Sequence, residues 1–214
     1  MSTLRYKQFY RRHLPHIQPL GATLFVTFRL AGSVPRSVVE HLSQEAERRQ
    51  RALDYFNDPE ERRRRSYTEL NRLFGKWDAV LDAARTGPSW LRSPEVSRLV
   101  SKALHSGDGR GYDLVAFCIM PNHVHLVFTP LCKEDGTYHS LSSIMRSLKG
   151  RTARQANLVL GRRGAFWQHE NNDHVVRDKA ELSRIITYVL ENPVKAELVG
   201  PHDQWEWSYS RFQV

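Results

Sequence analysis

Cysteine is scarce. Cys118 and Cys132 are the only two in 214 residues, too few for a disulfide framework or a zinc-finger spacing. The chain therefore suits a reducing setting, and a cytoplasmic location is expected. Long apolar runs are missing as well. The longest, LVAFCIM at 114–120, is far too short to cross a bilayer, so no membrane class fits. The N-terminal MSTLRYKQFYRRHLPHIQ is basic and has no apolar centre, so no signal peptide is expected. No G-x-x-x-x-G-K-[ST] loop occurs, which removes the usual signature of a bound nucleotide. Internal repeats and low-complexity tracts are lacking too.

Acidic residues are outnumbered, 23 against 32 Lys+Arg, for a net charge of +9 and a pI near 9.8. Such a field attracts polyanions, nucleic acid above all, although a solvated basic surface with no partner gives the same composition. The length fits one domain, 1–214, with a charged helical segment inserted at about 35–109.

LFVTFRL at 24–30 alternates and reads as a strand. A helical stripe of Val38, Val39, Leu42 and Ala46 follows. Asp58-Pro59-Glu60-Glu61 announces a second helix, with Tyr67, Leu70, Leu73/Phe74, Trp77, Val80/Leu81 and Ala84 inside and Gly87-Pro88 as its stop. Arg62–Arg65 near its start is either a phosphate grip or a solvated face. Ser93-Pro94-Glu95 opens a third helix with Val96, Leu99, Val100 and Ala103 inward. Strands at 112–120 and 123–128, separated by Pro121-Asn122, form an antiparallel hairpin. A helix over about 140–158 buries Leu141, Ile144, Met145 and Leu148, and turns Arg146, Lys149, Arg151 and Arg154 outward. A short strand is expected near 174–177. Asp178 and Glu181 make a D-x-x-E capping box, and Asn192-Pro193 bends or ends the helix that follows. The fold class is α+β: an antiparallel sheet with helices packed on it.

In MPNHVHLVF, His123 and His125 share one face of a strand, with α-carbons about 6.5–7 Å apart, a gap two imidazoles can close onto one ion. The pattern alone is weak, since ten histidines in 214 residues give roughly 0.5 such pairs by chance. Metal ligation and a hydrogen-bonded structural pair both remain open. Tyr188 and Asn192, at i and i+4, lie on one helix face, so a phenol and a carboxamide meet the same space. A core tyrosine is the ordinary reading. A nucleophile beside a cation ligand is the chemical one.

Taken in order, MPNHVHLVF, SIMRSLKGRTARQAN, FWQHENNDHVVRD and YVLENPVKAELV resemble the single-tyrosine HUH transposases, and among them the REP-associated tyrosine transposases. The resemblance runs from about Gly21 to Trp207, interrupted by the helical segment. It implies a ferredoxin/RRM-like core and a metal-dependent single-strand DNA endonuclease and strand transferase acting on hairpin-containing DNA. His123, His125 and Asn192 would hold Mg²⁺ or Mn²⁺. Tyr188 would attack and leave a 5′-phosphotyrosine and a free 3′-OH. DNA contacts are expected from Arg146, Lys149, Arg151, Arg162, Arg163, Trp167, Gln168, His174 and Arg177, with Trp167 also fitting a core anchor. The resemblance fits a monomer or a homodimer. A domesticated hairpin-DNA-binding protein without transposition is the alternative. Two departures stand out: Glu197 replaces a usual glycine, and Asn172 a usual aromatic.

Overall fold

Alternation and turn chemistry decide the centre of the molecule. The computed structural model describes residues 10–12, 14–16, 20–53, 55–83 and 87–212. Most of the N-terminal basic stretch, Ala84, and the side chains of Ala46, Arg63, Tyr67, Leu70 and Phe74 lie outside the described residues. The strands are β1 (Tyr10–Arg12), β2 (Leu14–His16), β3 (Leu24–Arg29), β4 (Tyr112–Ile119), β5 (His123–Pro130), β6 (Asn172–Val175) and β7 (Ser208–Ser210). The α-helices are α1 (Arg36–Leu53), α2 (Pro59–Ala83), α3 (Pro94–Gly107), α4 (Leu141–Val159) and α5 (Lys179–Lys195). β1 and β2 form a separate small ribbon.

The main sheet is antiparallel with strand order β6-β3-β5-β4-β7. Without β7, this is a βαββαβ unit in the order 4-1-3-2, the ferredoxin-like arrangement. The expected α+β class is borne out. β4 and β5 form the expected hairpin: Met120 N donates to His123 O at 2.9 Å across Pro121-Asn122.

Both faces are covered, which is why β3 is buried throughout rather than half-exposed. One face carries Val26, Phe28, Val124, Leu126 and Phe128, packed against α3 and α4. The other carries Phe25, Cys118 and Val127, packed against Ile186 and Val189 of α5. The pleat therefore turns His123 and His125 toward α5. In β4 the register shifts between Leu114 and Ala116, a bulge that puts Val115 and Ala116 on the same side.

α1 and α2 bury a small core of their own: Val34, Leu42, Trp77 and Leu81. α3 instead belongs to the main core through Val96, Val100 and Leu104. α2 starts as expected, with Pro59 in its first turn and Glu60 N donating to Asp58 Oδ1 at 3.0 Å.

Three expectations need correction. The sixth strand spans Asn172–Val175 rather than 174–177: pairing with β3 stops at Val175, and the chain must turn outward for Asp178 to cap α5. The capping box is half formed. Asp178 accepts from Glu181 N, but Glu181 Oε2 takes the N–H of Arg177, one residue further back, at 2.7 Å. Finally, α5 does not end at Asn192-Pro193. Pro193 lies inside its last turn and costs one backbone bond there. The true stop is a Schellman closure, with Glu197 N donating to Val194 O and Leu198 N to Pro193 O. Glu197 takes φ 56°, the left-handed conformation that glycine favours. Glu197 therefore holds a turn that glycine favours, and backbone strain sits there.

Candidate metal and nucleophile site

The site assembles on the α5 side of the hairpin. His123 and His125 are fully buried. Their orientation is set by neighbours that sequence reading did not single out. Asn122 Nδ2 donates to Leu81 O at 3.2 Å. A carbonyl only accepts, so the amide nitrogen must face it, leaving Asn122 Oδ1 to accept from His123 Nδ1 at 2.6 Å. With Nδ1 donating, the neutral form of His123 bares a lone pair on Nε2. On β3, opposite His125, Thr27 Oγ1 lies 2.9 Å from His125 Nδ1. Asn192 Nδ2 donates to His125 Nε2 at 3.3 Å, which makes that nitrogen an acceptor as well. Burial pushes the His125 imidazole down to about 4, and the neighbouring His123 adds to the effect, so it is neutral near pH 7.

The two Nε2 atoms face each other at 3.0 Å. Opposed lone pairs at that distance repel unless a positive charge lies between them. Tying Nδ1 to a protein oxygen and baring Nε2 is also the arrangement of metal-binding histidines. The side chains present fit a divalent cation.

α5 supplies the rest. The Tyr188 ring centroid lies 5.5 Å from that of His125 and 6.1 Å from that of Phe25. Lys195 Nζ sits 5.3 Å from the Tyr188 ring centroid. Asn192 is buried, its Oδ1 has no hydrogen-bond partner, and its amide nitrogen faces the histidines. A half-turn of the carboxamide would exchange the two atoms.

Asp82, on α2, went unnoticed in the sequence, yet it sits between all of these groups. Its Oδ2 accepts from Tyr188 Oη and from Asn192 Nδ2, each at 3.2 Å. Its Oδ1 lies 3.3 Å from His123 Nε2. Burial pushes the Asp82 carboxyl up, and positive charge beside the His123–His125 pair is what draws it down below the usual carboxylate range. An aspartate on the polar side of an amphipathic helix carries no sequence signal that would have marked it.

The remaining expected DNA contacts are scattered. Arg146, Arg151 and Arg163 are exposed, but α4, which bears the first two, covers the sheet face opposite α5. Arg151 lines a groove between α3 and α4 with Arg98 and Lys102. Lys149 is committed to the loop after α4: its Nζ donates to the carbonyls of Gln168, His169 and Glu170 at 3.1–3.2 Å. Burial, and after it the charge of Arg29, lower the Lys149 ammonium to about 8. The Arg162 guanidinium stacks 3.6 Å from the Trp90 ring centroid. Trp167 is in the main core, its Nε1 donating to Thr152 Oγ1 at 2.8 Å, and Phe166 is buried beside it. Gln168 is half-buried and donates its backbone N–H to Arg29 O. His174 and Arg177 both contact Glu181, which ties β6 to α5. Of the four-arginine run, Arg62 donates to Phe56 O while Arg64 and Arg65 pair with Glu61. No helix among the described residues is long and apolar enough to cross a membrane.

Residues 92–192 match the model of the family described as "Transposase IS200 like". A protein of Haemophilus influenzae, named as a REP-associated tyrosine transposase, is 29% identical over 106 residues, covering 45% of this chain and 58% of that protein. The chain thus matches less than two thirds of that relative's length. A solved structure of a REP-associated tyrosine transposase bound to a REP hairpin aligns over 94% of this chain and 82% of that one, with 18% identity and a TM-score of 0.49.

Proposed function

We propose, from the premise that this chain is related over residues 92–192 to the IS200-like transposases, that it is a metal-dependent single-strand DNA endonuclease and strand transferase. Its substrate would be hairpin-containing single-stranded DNA, met in the cytoplasm. We read 1–214 as one catalytic domain in which the inserted part of the 35–109 segment is α1 and α2, with their own small core, while α3 belongs to the main core. The observation that carries this reading is that the two Nε2 atoms, 3.0 Å apart on β5, lie beside the Tyr188 ring of α5, whose centroid is 5.5 Å from that of His125.

His123 and His125 would hold Mg²⁺ or Mn²⁺, with Asn192 beside them. When bound, the ion would withdraw charge from the non-bridging oxygens of the scissile phosphate and orient its phosphorus. Tyr188 Oη attacks that phosphorus as it gives up its proton, toward the Asp82 carboxylate it donates to, the P–O3′ bond breaks, and the 3′ oxygen takes up a proton from solvent to leave as a free hydroxyl. The new 5′-phosphotyrosyl ester conserves the energy of the broken bond, so a later 3′-OH can attack it and rejoin strands without ATP. Thr27 and Asn122 keep the imidazoles in the tautomer that bares Nε2. Burial of both rings shields the imidazoles themselves from water. Exposed Arg146, Arg151 and Arg163 are candidates to hold the DNA backbone.

The test is incubation with single-stranded hairpin DNA and Mn²⁺, followed by a search for protein joined to a 5′ end. Tyr188→Phe should lose the adduct and keep DNA binding. If the native chain binds the hairpin without forming an adduct, the protein is a hairpin binder and the catalytic reading falls.

A further inference from the structure

We infer that Asp82, carried by α2 outside the hairpin and α5, is a third donor to the metal centre and the residue that positions the Tyr188 hydroxyl beside it. This rests on the metal-dependent reading above. Three facts lead there. The first is distance. Asp82 Oδ1 is 3.3 Å from His123 Nε2 and 3.9 Å from His125 Nε2, and those nitrogens are 3.0 Å apart. The circle through three atoms so spaced has a radius of about 2.0 Å, the length of a bond from a divalent ion to nitrogen or oxygen, so one ion can reach all three.

The second fact is that Asp82 Oδ1 is buried without a hydrogen bond. Both faces of the carboxylate are then accounted for: Oδ2 takes the hydroxyl of Tyr188 and the amide of Asn192, while Oδ1 points at the imidazoles. A cation is the partner that His123 Nε2, His125 Nε2 (which takes only a 3.3 Å bond from Asn192) and the unpaired anionic Oδ1 can share. A hard carboxylate also corrects the weakness of two imidazoles as ligands for Mg²⁺ or Mn²⁺. Two nitrogens and one oxygen leave further coordination positions open to a phosphate.

The third fact is anchorage. Leu81 O accepts from Asn122 Nδ2, so the backbone beside Asp82 is fastened to the residue that orients His123. The helical pair thereby completes the site rather than decorating it.

The test measures Mn²⁺ binding to the full chain by calorimetry and electron paramagnetic resonance, for the native protein, Asp82→Asn, Asp82→Cys, His123→Ala and Tyr188→Phe. Asp82→Asn and His123→Ala should each weaken Mn²⁺ binding at least tenfold, and Tyr188→Phe should leave it near native. Asp82→Cys should lose Mn²⁺ and gain Cd²⁺, because a thiolate is a soft donor; this readout survives even if Asp82→Asn fails to fold. Native Mn²⁺ affinity in Asp82→Asn with loss in His123→Ala overturns the role of Asp82 and leaves the metal reading standing. Native affinity in both removes the metal reading as well. A rise in DNA adduct in Asp82→Asn would make the carboxylate a plug in the phosphate's place, which also overturns the inference.

Discussion

Asn122 is the point where the geometry can be pressed hardest. Replacing it with alanine removes both the acceptor for His123 Nδ1 and the donor to Leu81 O, two bonds in a buried setting. A buried polar group left unpaired costs about 1–3 kcal/mol, so the pair should cost about 2–4 kcal/mol once the surroundings relax. For a chain of this length that lowers the melting temperature by roughly 5–12 °C. Release of the imidazole should also weaken Mn²⁺ binding by about 10- to 100-fold, the usual effect of losing the partner of a metal-binding histidine. Asn122→Asp separates the two effects. It keeps an oxygen for His123 and sets a carboxylate oxygen against Leu81 O, so stability falls while Mn²⁺ affinity holds or rises. Thermal unfolding with and without Mn²⁺, together with calorimetry, reads both quantities. Native Mn²⁺ affinity in a folded Asn122→Ala protein would refute the claim that this tether orients His123.

Glu197→Gly should stabilise the protein by about 0.5–1 kcal/mol, because left-handed backbone costs a residue with a side chain about 1–2 kcal/mol and glycine returns part of that as chain entropy; equal gain from Glu197→Ala, measured by urea unfolding, would contradict this. His125 titrates lower in the folded chain, about 4, than its ordinary 6.5, so its contribution is complete above pH 6.5 and lost as pH falls through about 4. In metal-free protein that loss amounts to about 3 kcal/mol, and urea midpoints against pH should flatten over this window in His125→Gln. An unchanged slope would count against it. Trp167→Phe removes the bond to Thr152 and should lower stability by about 1–3 kcal/mol while leaving single-strand DNA affinity within about twofold. A large loss of DNA affinity at native stability would return Trp167 to base stacking. Mn²⁺ should support cleavage at least as well as Mg²⁺, checked by adduct yield in each metal.

The parts of the fold legible in the sequence are those where one local signal suffices. The β4–β5 hairpin follows from two apolar strands around Pro121-Asn122, α3 from its stripe and the Pro94-Glu95 start, and α4 from its stripe. Where two signals compete, the wrong one is easily chosen. Pro193 reads as a stop, yet the decisive event is the closure around Glu197, which is invisible without backbone angles. The strand at Asn172–Val175 is set by what β3 offers it, a tertiary matter. His123, His125, Tyr188 and Asn192 could be proposed because two short periodicities place each pair on one face, and the structure does bring these four side chains together. Asp82 could not, since nothing within its helix distinguishes it from any other exposed-face acid. Lys149 illustrates the reverse: a polar-face lysine looks like a phosphate contact until the three carbonyls it serves are seen.

The bulge at Val115 has a consequence for how this architecture tolerates change in length. Because Leu114 already pairs with Phe128 and Ala116 with the adjacent Val127, Val115 is a supernumerary residue in the ladder. Excising it would join two stretches that are already in phase, with Phe117 and Ile119 still toward α3 and Cys118 still opposite His125. One buried strand can therefore shorten by a single residue without any layer changing hands, a freedom that an ordinary central strand lacks.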